Sequence, residues 1–221
     1  MLDTSIFYKI RSAVDTKETG KVYPSTETYK DYNFQSYNSV HNLRAREFPS
    51  FIPDIRFKLS KKAKLCDLLS TSAISVHGLL ISERFKVLLE KYQSVPCKYH
   101  EASIEVNRTF HQYYFVQYVW NEGINLIDFK ESKFRIKKFD EIISPIQINN
   151  YEDLRLKQKE LGFVQIICSN DIKLNKIPEN LDIIIDPLNF GIYVNEKLKN
   201  EILFSKFTGV ELTPNSTLKM F

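Results

Sequence analysis

Cys97, His100, Glu101 and His111 fall within one short stretch of the chain. A thiol beside two imidazoles and a carboxylate could supply a zinc site or a Cys–His nucleophile, and either use needs the groups to converge. If the stretch is extended, Cys97 and His100 point to opposite faces, because side chains alternate along a strand. No metal-ligand spacing is met, so scattered structural residues are the simpler explanation. Glu83 and Glu196 could be paired carboxylates of an acid–base site. Ser82, beside Glu83 and Arg84, could be a nucleophile, but no Gly-x-Ser-x-Gly turn surrounds it.

The elements that must position these groups give another account of them. Gly78 to Leu89 reads as a short apolar run, a helix start and an amphipathic helix, and Gly191 to Ile202 matches it position for position without a gap. Ser82 and Asn195 occupy the N-cap of the two helices, where a short side-chain oxygen accepts from the free N–H groups of the first turn. Glu83 and Glu196 then sit at the positive end of the helix dipole. A nucleophile would not survive the exchange of Ser for Asn, whereas a cap would. The first helix should bury Phe85, Leu88, Leu89 and Tyr92, and the second Leu198, Ile202 and Leu203.

Other segments are read in the same way. Strands are expected at Ile6 to Val14, Asp54 to Leu59, Lys64 to Leu69, Cys97 to Val106, Ile124 to Asp128, Lys133 to Phe139, Phe163 to Cys168, Leu181 to Ile185 and Gly209 to Thr213. Gln112 to Trp120 is apolar on both faces, which predicts a central strand covered on each side. Asn150 should cap a helix from Tyr151 to Leu161, stopped by Gly162. The run Arg56, Lys58, Lys61, Lys62, Lys64 holds no acid and could meet phosphates. An edge strand guarded by lysines explains it more simply. Between Asp15 and Phe51 the pattern is irregular yet rich in aromatic and cationic residues. Tyr29, Tyr32, Tyr37, Arg44 and Arg46 are the best candidates for partner contact, because Tyr and Arg bring large area and directional hydrogen bonds.

The totals bound the function. The formal net charge of +4 is mild for 221 residues; it argues against a dedicated nucleic-acid binder and, by its sign, against a nucleic-acid mimic. Cys66, Cys97 and Cys168 are isolated, with no CxxC pair, which points to a reducing cytoplasm rather than a disulfide framework. No secretory signal, membrane-spanning run or cofactor motif is visible.

Three stretches together resemble a known family. These are Leu80-Ile81-Ser82-Glu83-Arg84-Phe85-Lys86; Tyr113-Tyr114-Phe115-Val116 followed by Ile127 to Lys133; and Ile192 to Leu198 leading to Thr208-Gly209-Val210-Glu211-Leu212. They are similar to the immunity proteins of bacterial polymorphic toxin systems, a family with a myxobacterial founding member and long a domain of unknown function. Leu212 stands where that family commonly has an aromatic residue. The resemblance spans Ile74 to Pro214 and implies a non-catalytic inhibitor whose partner is a cognate toxin protein. It carries over no active-site residue and says little about Asp15 to Phe51.

The expectation is therefore one α+β domain over residues 1–221, with a mixed or antiparallel sheet and helices packed on it, built around two repeated helix–strand units. Residues 1–73 hold the N-terminal strands and the Tyr-rich segment, 74–107 the first unit, 108–180 central strands and a helix, and 181–221 the second unit. The function expected is immunity by occlusion of a toxin. The alternatives are an enzyme using Cys97, His100 or His111, and a nucleic-acid binder using Arg56 to Lys64.

Overall fold

The computed structural model describes residues 7–177, 180–215 and 218–220; Ile6, the first residue of the expected N-terminal strand, lies outside them. Along the chain run β1 (Phe7–Ser12), β2 (Thr26–Thr28), β3 (Arg56–Leu59), β4 (Leu68–Leu69), β5 (Gly78–Ser82), α1 (Glu83–Leu89), β6 (Cys97–Val106) and β7 (Thr109–Tyr118). Then come β8 (Lys133–Lys138), β9 (Glu141–Ile146), α2 (Tyr151–Leu161), β10 (Gln165–Leu174), β11 (Ile183–Ile185), β12 (Ile192–Asn195), α3 (Glu196–Phe204), β13 (Val210–Pro214) and β14 (Leu218–Met220). The fold is mixed α/β and mostly sheet. Instead of one shared sheet, the strands form three, ordered β2-β3-β6-β7-β5-β4, β11-β12-β1-β13 and β14-β10-β8-β9.

The caps form as their chemistry demands. Ser82 Oγ accepts from the Phe85 N–H, and Asn195 Oδ1 from the Leu198 N–H at 2.9 Å. Each cap also donates to a carboxylate from the preceding strand region: Ser82 Oγ to Asp67 at 2.8 Å, Asn195 Nδ2 to Asp182 at 2.6 Å. The position thus requires a side chain that both accepts and donates, which Ser and Asn share. Phe85, Leu88, Leu89, Leu198 and Ile202 are buried, but Leu203 is 59% exposed, on the outer side of α3.

The surroundings of the two stretches correspond as well. Ile81 lies opposite Tyr114 and Val194 opposite Tyr8; across those same tyrosines stand Glu101 and Pro214. Lys86 covers the Tyr114 ring and Lys199 the Tyr8 ring, at 4.5 and 4.4 Å. The Gln93 N–H donates to Asp182, and the Thr208 N–H to Asp67. The Leu68 N–H reaches the Thr208 carbonyl, and the Ile183 N–H the Gln93 carbonyl. In this correspondence β7 answers to β1, so the strand that completes the C-terminal arrangement comes from the start of the chain.

The six-stranded sheet carries a core on each face, as the two-sided apolarity of Gln112 to Trp120 predicts. Val116, Tyr118 and Trp120 join the larger core with α1 and α3. Tyr113 and Phe115 face the smaller one, closed by Tyr32, Val40 and Leu43 from the irregular N-terminal segment. That segment is therefore packed down. β3 is not an edge strand, since β2 and β6 flank it. Ile124 to Asp128, expected as a strand, lies largely within a 3-10 turn over Glu122–Leu126. There Gly123 lies so close to the Trp120 ring that a Cβ would come within 2.6 Å of it. The expected strand from Lys64 shrinks to Leu68–Leu69, and just before it the Asp67 N–H donates to the Thr208 hydroxyl rather than to a strand. The helix expected at Tyr151 to Leu161 forms with those bounds, capped by Asn150.

Asp67 is the most heavily engaged side chain here. Burial alone would raise its pKa. Bidentate hydrogen bonds from Arg84 at 2.6 Å, with those from the Thr208 N–H, the Ser82 hydroxyl and the Thr208 hydroxyl, outweigh it and hold the carboxyl down at about 2. A folded-state pKa below the unfolded value of about 3.9 means a stabilising contribution that is complete above about pH 4 and lost as the pH falls toward 2. Chemical denaturation across pH 2–7 should show Asp67→Asn less stable than wild type by about 1 kcal/mol at neutral pH, after allowance for the solvent around Arg84, with the gap closing below pH 4. A gap that stays constant with pH would contradict this role.

Candidate functional site

Gln117 is the one amide side chain in the aromatic and aliphatic run from Tyr113 to Trp120, and it is fully buried. Its Nε2 donates to the carbonyls of Arg44 at 2.6 Å and Glu47 at 2.9 Å, and its Oε1 meets His100 Nε2 at 3.0 Å. Burial keeps the His100 pKa below its ordinary value, against the smaller opposing effect of the Gln117 bond. Asn121 Nδ2 donates to the Arg46 carbonyl at 2.9 Å. A buried carbonyl without a donor costs about 1–3 kcal/mol, so these contacts fix the 44–47 loop onto β7.

The pinned loop aims Arg46 away from the N-terminal segment. Its guanidinium lies between the rings of Tyr151 and Phe190, 5.3 and 5.1 Å from their centroids, and donates to the Pro187 carbonyl at 2.9 Å. Two rings and a carbonyl leave it little freedom. Arg46 forms one wall of a cavity of about 760 Å³ between α2, β8, β10 and the 187–190 loop, with Phe134, Leu154, Ile167 and Leu188 among its apolar lining. Arg155 and Lys159 stand at its α2 side, and no Asp or Glu lines it.

α2 leaves this space open. It buries no residue of its own. Polar ties hold it instead: Asn150 accepts from the Asp153 N–H, Lys157 donates to the Gln147 carbonyl, and Gln158 accepts from the Ile167 N–H at 2.7 Å. Gly162, at φ +71, ends the helix in a region that favours glycine, and Phe163 follows it fully exposed.

The residues proposed from sequence scatter over several places. Tyr32 is buried; its hydroxyl donates to the Asp54 carbonyl and accepts from the Val40 N–H. Tyr29 is half-buried under Lys58, whose ammonium is 4.7 Å from the ring centroid. Tyr37 and Arg44 are exposed. Only Arg46 belongs to the cavity. Cys97, His100 and His111 are not brought together. His100 faces Gln117, Cys97 meets the Ser94 hydroxyl, and His111 lies opposite Ile104, four residues along β7 from the partner of His100. Glu83 and Glu196 head separate helices. The basic run is largely engaged: Arg56 pairs with Asp54 at 2.5 Å, Lys58 approaches Glu105, and Lys64 donates to the Lys17 carbonyl.

Sequence reasoning missed the cavity. Two signals for it were present: a lone Gln in an apolar central strand, which must have buried partners, and a helix without a full apolar stripe.

A sequence profile of the Immunity protein family (Imm11) matches residues 7–168, well over half of the chain. The matched region starts at β1, takes in the Tyr-rich segment and ends within β10. It leaves out the third stretch on which the resemblance was drawn, Ile192 to Leu212. No curated protein matches the sequence.

Gln117→Leu keeps the size of the side chain and removes both of its bonds to the 44–47 loop, to the carbonyls of Arg44 and Glu47. It should lower unfolding stability by about 2–3 kcal/mol and free the loop, read as faster amide exchange and cleavage by trypsin after Arg44 or Arg46. Unchanged protection of that loop would contradict the pinning role.

Proposed function

Because the chain belongs to the Immunity protein family (Imm11), we propose that it binds a cognate toxin domain and neutralises it by covering the surface the toxin works with, without chemistry of its own. Family membership is the observation that carries this reading. Support comes from the separation of Cys97, His100 and His111, which leaves the enzymatic alternative without a convergent set. The nucleic-acid alternative loses Arg56 and Lys64 to contacts within the molecule. The setting we propose is the bacterial cytoplasm, within a polymorphic toxin system. No helix among the described residues is long and apolar enough to cross a membrane. Tyr37 and Arg44, exposed near the pinned loop, remain proposed contact residues together with Arg46.

We propose also that the arrangements around α1 and α3 are copies of one ancestral unit. Their matching caps, carboxylates and strand registers support this. Aligned relatives should keep Asp67 with Ser82 and Asp182 with Asn195 together; independent loss of either pair across the family would count against duplication.

Co-expression with the toxin domain encoded beside this gene should restore growth, and the two purified proteins should co-elute. Cells that die despite expression of the folded protein, with no co-elution, would overturn the reading.

A further inference from the structure

We propose that the cavity between α2 and the β8–β10 face is the pocket that takes hold of the partner, and that its occupant is a large apolar side chain carried on an acidic segment of that protein. The inference rests on the binding role proposed above and adds the place and the chemistry.

The interior asks for an apolar group. Phe134, Leu154, Ile167 and Leu188 face it, and the polar groups beside them are already satisfied. Gln158 donates to the Gln165 carbonyl and accepts from the Ile167 N–H, while Ser169 and Asn189 bond to each other. A polar group carried past the rim would find Gln158, Ser169 and Asn189 already engaged and would lose its hydration.

The rim asks for negative charge. Arg155 and Lys159 lie four residues apart, on one side of α2 with Tyr151. Both are exposed, and neither side chain has an ion pair or hydrogen bond among the described residues. With Arg46 they place three cations around an apolar opening that no carboxylate lines.

A cavity of about 760 Å³ would also suit a small molecule. The apolar lining, however, runs outward to Phe163, which is fully exposed, and to its neighbour Val164, more than half exposed. A small ligand would leave those side chains in water, whereas a polypeptide seated in the cavity covers them too. Apolar centre and charged rim is the layout of a protein interface. The β9 edge is the less suitable surface for adding a strand, because Pro145 and the register shift beside Ile136 interrupt its pairing pattern.

The test uses the full chain and two kinds of probe. The first is a fluorescein-labelled peptide with two central Phe residues flanked by Asp and Glu, compared with a counterpart carrying Lys at each acidic position. The acidic peptide should bind, more weakly as salt rises; the Lys peptide should not. Arg155→Glu/Lys159→Glu should weaken it at least about tenfold, whereas Lys21→Glu/Lys61→Glu, an equal charge change away from the cavity, should leave it unchanged. Equal binding of the two peptides, no binding of either, or an unaffected Arg155→Glu/Lys159→Glu would overturn the inference. Melting curves confirm that the variants fold.

The second probe is the neighbouring toxin domain, purified in inactive form. Loss of its binding in Arg155→Glu/Lys159→Glu supports the pocket. Full binding by that variant places the contact elsewhere, overturning the pocket while occlusion stands. If wild type does not bind the toxin, occlusion falls and the peptide result alone sustains or sinks the pocket.

Discussion

Two carboxylates used reciprocally set α1 and α3 against the sheets that carry the larger core. Asp67 holds the cap of α1 and the backbone after α3; Asp182 holds the cap of α3 and the backbone after α1. Neither helix can be set in place without fixing the exit of the other. The interaction is strong at Asp67, where Arg84 adds a bidentate pair, and lighter at Asp182. There the matching Lys197 lies instead over Tyr92, at 5.3 Å, as Arg84 lies over Phe207 at 4.4 Å. Swapping a planar fork for a point charge loses the two-point carboxylate grip but keeps the cation over the ring. One carboxylate is thus tied by an ion pair as well as neutral donors, the other by neutral donors, around the same backbone.

The surroundings of α1 and α3 are mostly cap and core, so what lies outside them is where contact surfaces can vary without cost to the junction. Two stretches lie outside. Residues 13–66 supply β2, β3 and the packed irregular segment; residues 119–181 supply β8, β9, α2 and β10. They meet at Arg46, which starts from the first stretch and ends against Tyr151 of the second. The cavity is built almost wholly of these two stretches, with Leu188 and Asn189 closing it from the loop before β12. A buried Gln on a shared strand connects the two levels: Gln117 belongs to the scaffold, and what it holds is the loop that presents Arg46.

Local chemistry was readable from sequence wherever it acted alone. Asn150 and Gly162 bracket α2 without help from the rest of the chain, and Ser82 and Asn195 declare their helices because a cap is a short-range device. β7 was readable because a strand that is apolar on both faces must be covered on both. The failures involve long-range competition. Ile124 to Asp128 has strand-like residues, but Trp120 needs a glycine beneath its ring, and the chain turns at Gly123. β9 carries Pro145, which argues against a strand from sequence, yet an edge tolerates it. Tyr32 looked like a contact residue and is instead a buried strut, since nothing local says which tyrosine in a Tyr-rich loop will find a carbonyl such as that of Asp54. The cavity was invisible for the same reason: its walls lie far apart in the chain.

The cavity follows from how α2 is held. A helix with an apolar stripe would sink onto β8 and β10 and fill the space, gaining roughly 1.5–3 kcal/mol for each aliphatic side chain fully buried. α2 is fastened at its start by Asn150, along its side by Lys157 and Gln158, and at its end by a glycine turn. These ties fix its position while leaving Tyr151 and Leu154 only half-buried. The apolar burial that would ordinarily dock such a helix is therefore left unmade, with Phe163 and Val164 still facing water at its end. The space beside α2 is thus a consequence of polar fastening: the helix is placed by hydrogen bonds, and the apolar surface under it stays open.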